Sequence, residues 1–203
     1  MVIPHYINKI EPTVSSDSYQ GEKFLLYLGR IEKNKKYDLL INAFSRTKNK
    51  EWELLLTVKK NDLKKTLQRI SDNDPRIKFI GTVSEDKKNE LLYSCAAIVL
   101  PTSFEAFGTV TLEASVYKKP VLCSDLSVLR EVLNEEGAIF FNNKVEDIQK
   151  SLEKFMNLDD KQREMMGEAN WRNADRYTFE NALCSYRKLF DELSSNLKNK
   201  NCG

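Results

Sequence analysis

Continuous apolar runs alternate along the chain with segments whose apolar positions recur every three or four residues. The first run, residues 24–28 (Phe-Leu-Leu-Tyr-Leu), stops at Gly29. A run without polar interruption fits a strand buried on both faces. From Asp38 to Phe44, Leu39, Leu40, Ala43 and Phe44 then fall at helical spacing. The same alternation predicts strands at 52–58, 77–80, 96–100, 120–123 and 138–141. It predicts helices at 63–70, 84–93, 110–117, 127–133 and 145–158. Ser84 is a suitable N-cap, with Glu85 and Asp86 in the first turn behind it. Beyond residue 158 no strand pattern follows. Residues 159–176 read as a charged helix, and Thr178 can cap a last helix from Phe179 to about Leu197.

This order predicts an α/β fold: a Rossmann-like parallel sheet of about six strands, helices on both faces, and a C-terminal helical extension. In such sheets ligands bind outside the carboxyl ends of the strands. Gly29-Arg30, Val58-Lys59, Gly81-Thr82, the stretch from Pro101 to Gly108, and Ser124-Asp125 all fall on that edge. The domain spans 22–193 on this reading. Residues 1–21, with Pro4, Pro12 and a serine-rich turn, read as an interdomain linker remnant, and 194–203 as a frayed tail.

Composition narrows the function. The 203 residues carry 32 Lys+Arg against 30 Asp+Glu, a net charge of +2, which argues against a nucleic-acid partner. No apolar run approaches the roughly 18 residues of a membrane span. The single His5 leaves no His-based triad and no His-rich metal site. Cys95, Cys123, Cys184 and Cys202 form no C-x-x-C pair, and Cys95 and Cys123 lie beside apolar runs as small buried residues do. A reducing, cytoplasmic location follows as the expectation.

Two segments can carry chemistry. In the first, Arg30 and Lys35 flank a short loop after the glycine that ends the first strand. A planar guanidinium fork and a point charge are a usual pair for diphosphate oxygens. The same residues also read as a solvated basic turn. In the second, Phe104-Glu105-Ala106-Phe107-Gly108-Thr109 opens the helix that carries Glu113. Gly108 lets backbone approach a ligand closely, and a helix start is an anion site. Glu105 would repel that anion unless it touches a neutral part of the same ligand, and sugar hydroxyls fit. The plain alternative makes Glu105 a loop acid and Glu113 a helix-surface acid.

Together these elements resemble the C-terminal half of a GT-B glycosyltransferase, of the large retaining group often called family 4. The glycine-arginine-x4-lysine element is matched by Gly29, Arg30 and Lys35, and the Glu-x7-Glu element by Glu105 and Glu113. Phe79-Ile80-Gly81-Thr82-Val83, Leu100-Pro101-Thr102-Ser103, Lys119-Pro120-Val121-Leu122 and Leu129-Arg130-Glu131-Val132 match in order. Departures are Ala106 and Lys36, where the family usually has Gly, and Val58-Lys59-Lys60-Asn61 in place of a Gly-rich turn.

The resemblance implies a nucleotide-sugar donor site. Arg30, Lys35 and the N–H groups of Phe107, Gly108 and Thr109 would hold the diphosphate. The base would rest on backbone near Thr82 and Val83, Glu113 would take the ribose hydroxyls, and Glu105 the donor sugar. The reaction implied is transfer of that sugar to an acceptor hydroxyl with retention, in bacterial cell-surface polysaccharide or glycoconjugate synthesis. The resemblance implies no metal cofactor, with Arg30 and Lys35 taking the place of a divalent cation. An acceptor-binding half would precede residue 1 and carry any membrane contact, peripheral at the inner membrane face. The isolated chain would then bind donor and be inactive in transfer. The alternative is a non-catalytic module that binds nucleotide sugars.

Overall fold

The structure, a computed structural model, describes Tyr6, Ile7 and residues 23–200, with side chains as far as residue 194. Most of the predicted linker and residues 201–203 lie outside the described residues.

Six parallel strands form one sheet: β1 (Phe24–Tyr27), β2 (Glu53–Leu56), β3 (Ile77–Phe79), β4 (Ala97–Leu100), β5 (Val121–Ser124) and β6 (Ala138–Phe141). Their order across the sheet is β3-β2-β1-β4-β5-β6. The chain therefore winds outward from β1 to one edge, returns, and winds from β4 to the other. Between β1 and β4 the connections leave in opposite directions and open a crevice at the strand ends.

The uninterrupted apolar runs are explained by burial on both faces. Along β1, Leu25 and Tyr27 enter one core while Phe24 and Leu26 enter the other. β4 divides likewise, Ala97 and Val99 against Ile98 and Leu100. The first face is covered by α1 (Tyr37–Ser45), α2 (Lys65–Asp72) and α6 (Val145–Met156), with α1 packed on both others. The second is covered by α3 (Glu85–Ser94), α4 (Thr109–Val116) and α5 (Ser127–Val132). α7 (Asp160–Ala174) packs on α4, and α8 (Phe179–Lys200) follows a 3-10 turn. Trp52 is buried in the first core with its ring edge-on to Phe155, a packing role.

Three details differ from the sequence reading. α2 begins at Lys65 rather than near Leu63, because a 3-10 turn at Lys60–Asp62 precedes it and Leu63 is buried outside the helix. α8 stays helical to Lys200, past the predicted end near Leu197. Of the predicted linker, Tyr6 and Ile7 dock on the start of α8: Ile7 N–H donates to the Tyr177 carbonyl at 2.8 Å, and Tyr6 meets Phe179 edge-on.

Candidate functional site

A cleft of about 980 Å³ opens at the carboxyl ends of the central strands. Its β1 wall is built from below by Tyr27. That side chain is fully buried, and its hydroxyl donates to the Arg30 carbonyl at 3.2 Å. Burial above all, with Tyr37 and Glu32 nearby, raises the hydroxyl far above its ordinary pKa, so it stays a neutral donor. A Cβ on Gly29 would lie 2.8 Å from that hydroxyl oxygen, so this position needs glycine for space. The Gly29 N–H donates to Thr57 Oγ1 at 3.3 Å, tying the β1 and β2 ends together. Arg30 then projects into the open cleft with 90% of its side chain exposed and a 3.9 Å contact to Glu32. A 3-10 turn at Lys33–Lys35 follows, and Lys36 takes a left-handed φ of 40° before α1 begins.

The β4 loop forms the facing wall, and hydrogen bonds staple it to the β1 loop. Ser103 N–H donates to the Asn34 carbonyl at 2.7 Å, and Asn34 Nδ2 donates to the Phe104 carbonyl at 3.3 Å. Beneath them a closed ring of three bonds anchors the loop. Thr102 N–H donates to Ser124 Oγ (2.7 Å), Ser124 Oγ–H to Asn143 Oδ1 (2.7 Å), and Asn143 Nδ2 back to the Thr102 carbonyl (2.8 Å). The stapling brings Lys35 and Glu105 into an ion pair at 2.7 Å, with side chains only 20% and 16% exposed. The carboxylate that the sequence left to repel an incoming anion is therefore neutralised by its own neighbour.

The loop ends at Gly108, whose φ of 86° starts α4 with no side chain capping it. A Cβ there would also stand 2.6 Å from Leu129 Cδ2. Glu113, just over one turn along α4, accepts from Lys88 Nζ at 2.9 Å. Lys88 also reaches Glu85 at 2.8 Å, one turn back on its own helix. Burial works against the Lys88 charge, but the bonds to Glu85 and Glu113 outweigh it and raise its pKa. The ammonium therefore persists at neutral pH.

Gly29, Arg30, Lys35, Thr82, Val83 and Glu113 all line this one cleft, and Glu105 adjoins it through Lys35. Phe107, Gly108 and Thr109 stand outside the lining, where Val110 takes their place, and the Phe107 ring packs edge-on against Tyr177. Lys59, in the loop that lacks the Gly-rich turn, is exposed and lines the cleft. Sequence reasoning missed Lys88 and Glu85 as cleft residues. Their signal was the Ser84 cap, which places Glu85 and Lys88 on one side of α3 a turn apart. No local pattern relates either residue to Glu113, 25 positions past Lys88. Among the described residues no group of His, Cys, Asp and Glu is arranged to hold a metal ion. Burial pushes the Cys95 thiol up to about 12, and Cys123 is raised by burial too, so neither is a thiolate nucleophile.

The sheet order and the cleft at its switch point define a Rossmann-like α/β domain. Residues 9–172 match the family described as glycosyl transferases group 1, and the chain belongs to that family. An uncharacterised glycosyltransferase of Methanocaldococcus jannaschii is 25% identical over 175 residues, covering 84% of this chain and 48% of that protein. The O-antigen chain mannosyltransferase B of Escherichia coli is 24% identical, covering 88% of this chain and 48% of the relative. The chain thus spans about half the length of the curated relatives it matches. Among solved structures, a glycosyltransferase from Rickettsia africae superposes with a TM-score of 0.83 at 17% identity, over 97% of this chain and 57% of that one. The C-terminal domain of a group 1 glycosyl transferase from Francisella tularensis gives 0.72 at 18% identity, over 85% of this chain and 99% of that domain. An Anabaena protein solved with UDP and glucose gives 0.71 at 16% identity, over 86% of this chain and 49% of that one. The fold is therefore that of a C-terminal GT-B glycosyltransferase domain, as the motifs implied. No helix of the described residues is long and apolar enough to cross a membrane.

Proposed function

We propose that the chain is the donor-binding domain of a retaining hexosyltransferase that takes a sugar from a nucleotide-diphospho-sugar to an acceptor hydroxyl. The observation that carries this reading is the stapling of the Arg30–Lys35 loop to the Glu105 loop across the switch-point cleft. The Anabaena neighbour, solved with UDP and glucose, supports a nucleotide sugar as ligand. The mannosyltransferase relative supports a hexose and a role in polysaccharide or glycoconjugate synthesis.

Arg30 and Lys35 face the diphosphate, with the start of α4 behind it. As the glycosidic bond breaks, negative charge grows on the leaving diphosphate. Fixed positive groups aimed there stabilise the transition state more than the ground state. They do so without a divalent metal. Glu105 accepts a hydroxyl of the transferred sugar while its pairing with Lys35 holds both at the junction of sugar and phosphate. Glu113 takes the ribose hydroxyls, and Thr82 and Val83 meet the base. Residues 22–193 form the donor half, and an acceptor half completes the enzyme; the chain by itself binds donor and does not turn over. The working place is the cytoplasm, with any membrane contact made through the acceptor half.

Calorimetric titration with nucleoside diphosphates tests this. Binding should survive a chelator unchanged. Arg30→Ala and Lys35→Ala should each cost about 1.5–3 kcal/mol of diphosphate affinity, as expected for a lost bond to a charged group, and leave nucleoside binding intact. A strict Mg²⁺ requirement, or variants that bind like the parent, would overturn the metal-free mechanism.

A further inference from the structure

The cleft has a second charged arrangement at its β3 end, where one ammonium joins two carboxylates. Lys88 Nζ lies 2.9 Å from Glu113 Oε1 and 2.8 Å from Glu85 Oε2. The Lys88 side chain is 20% exposed and Glu113 24%, whereas Glu85 is 81% exposed and open to the cleft it lines with Thr82 and Val83. In the donor reading above, on which this inference rests, Glu113 takes the ribose. The base is bonded to that ribose, so the groups next to Glu113 along the wall meet the base.

We propose that the base is guanine, with Glu85 and Lys88 reading its hydrogen-bonding edge. The wall presents a cationic donor beside an anionic acceptor pair. Guanine presents the complement in the same order: the O6 acceptor, then the N1–H and N2–H₂ donors. A carboxylate takes the two adjacent donors with both oxygens, and the ammonium keeps a third N–H for O6. Uracil satisfies only part of this pattern. Its O4 and N3–H fit, but its O2 lone pairs face the second carboxylate oxygen. Adenine and cytosine present the reverse order, an amino group toward the ammonium and a ring-nitrogen lone pair toward the carboxylate. A site built to bond polar groups rejects analogues that leave those groups unpaired or opposed. The same ammonium couples the two recognition events, because Lys88 holds the carboxylate for ribose and the carboxylate for base at once.

The test is calorimetry of the 203-residue chain with GDP, IDP, UDP and ADP, for the parent, Glu85→Gln and Arg30→Ala. GDP should bind more than about tenfold tighter than UDP or ADP, and IDP, which lacks the N2 amino group, should fall between. Glu85→Gln should weaken GDP by about tenfold and leave UDP within about twofold, erasing the preference. Its side chain is exposed, so the fold should survive the change. Arg30→Ala should weaken all four ligands alike and keep GDP first. UDP or ADP binding as tightly as GDP, or an equal loss for every ligand in Glu85→Gln, overturns the guanine assignment while the donor site stands. Failure of all four to bind overturns the donor site itself, and the assignment with it.

Discussion

Single residues in this cleft are shaped by their neighbours across the loops. Lys35 and Glu105 form a half-buried pair, so each holds the other in place before any ligand arrives. Glu105→Gln removes the anion and leaves the Lys35 charge free for phosphate. Free nucleoside diphosphate should then bind about two- to fivefold tighter, by roughly 0.5–1 kcal/mol of relieved competition. Transfer by the complete enzyme should fall, because the sugar loses its acceptor. Glu113→Ala should instead weaken diphosphate and sugar donor together. Titrations with both ligands separate the two roles, and equal losses in both variants would make the glutamates mere loop supports. Lys36 was one of two positions where the sequence departs from a glycine of the family pattern, and it adopts a φ of 40°. The left-handed region favours glycine, so Lys36→Gly should stabilise the domain by about 1 kcal/mol, read as a higher urea midpoint at an unchanged m-value. A lower midpoint would mean that the lysine side chain contributes contacts worth more than the backbone strain.

At the scale of elements, the loop-to-helix junction at Gly108 joins the candidate site to the fold. Its left-handed φ and the close approach of Leu129 both penalise a side chain. Gly108→Ala should destabilise the domain by at least about 1–3 kcal/mol and displace the Glu105 loop. The paired measurements are a thermal melt and diphosphate affinity, and both should drop. A melt unchanged from the parent would show that α4 can start without this conformation. The strands and helices themselves were legible because burial leaves a periodic record. Every predicted strand appears within two residues of its expected bounds, β2 starting one residue later and ending two earlier than expected. The 3-10 turns at Lys33–Lys35 and Lys60–Asp62 were not legible, because three-residue turns have no period to detect.

At the scale of the whole molecule, the end opposite the cleft holds a buried charge pair, Asp74 with Arg76, that reaches across to a distant loop. Arg76 is buried, bonds both oxygens of Asp74, donates to Thr47 Oγ1 and the Asn49 carbonyl, and lies over the Phe44 ring. It thereby ties the start of β3 to the loop after α1. Removing one member of such a buried pair leaves the other uncompensated, so Arg76→Met should cost about 3–5 kcal/mol. Burial alone would raise the Asp74 pKa, but the bonds from Arg76 outweigh it and hold the carboxyl below its ordinary value. A group with a depressed folded pKa adds stability above its unfolded value, about 3.9, and that part is lost as pH falls through the folded value. Urea unfolding followed from neutral pH down to about pH 3 should show this acid loss in the parent, and Asp74→Asn should flatten it. Equal slopes would assign the acid limb to other carboxylates.

The sequence by itself determined the layer architecture, the strand edge at which the cleft opens, and the family, because apolar periodicity and short motifs are local properties of the chain. Of the ten site residues it named, Gly29, Arg30, Lys35, Thr82, Val83 and Glu113 line one cleft, Glu105 adjoins it, and Phe107, Gly108 and Thr109 stand outside the lining. Only the tertiary structure decided the pairings: Lys35 with Glu105 across 70 residues, Lys88 with Glu113 across 25, and Thr102 with Ser124 and Asn143. It also turned the Phe107 ring away to Tyr177 and set Glu85 in the cleft. The physical reason is range. A hydrogen-bonding side chain acts over about 3 Å, so its partner is chosen by which loops the sheet order brings together. That order, β1 beside β4 with their connections leaving in opposite directions, is a property of the assembled sheet and of no single segment.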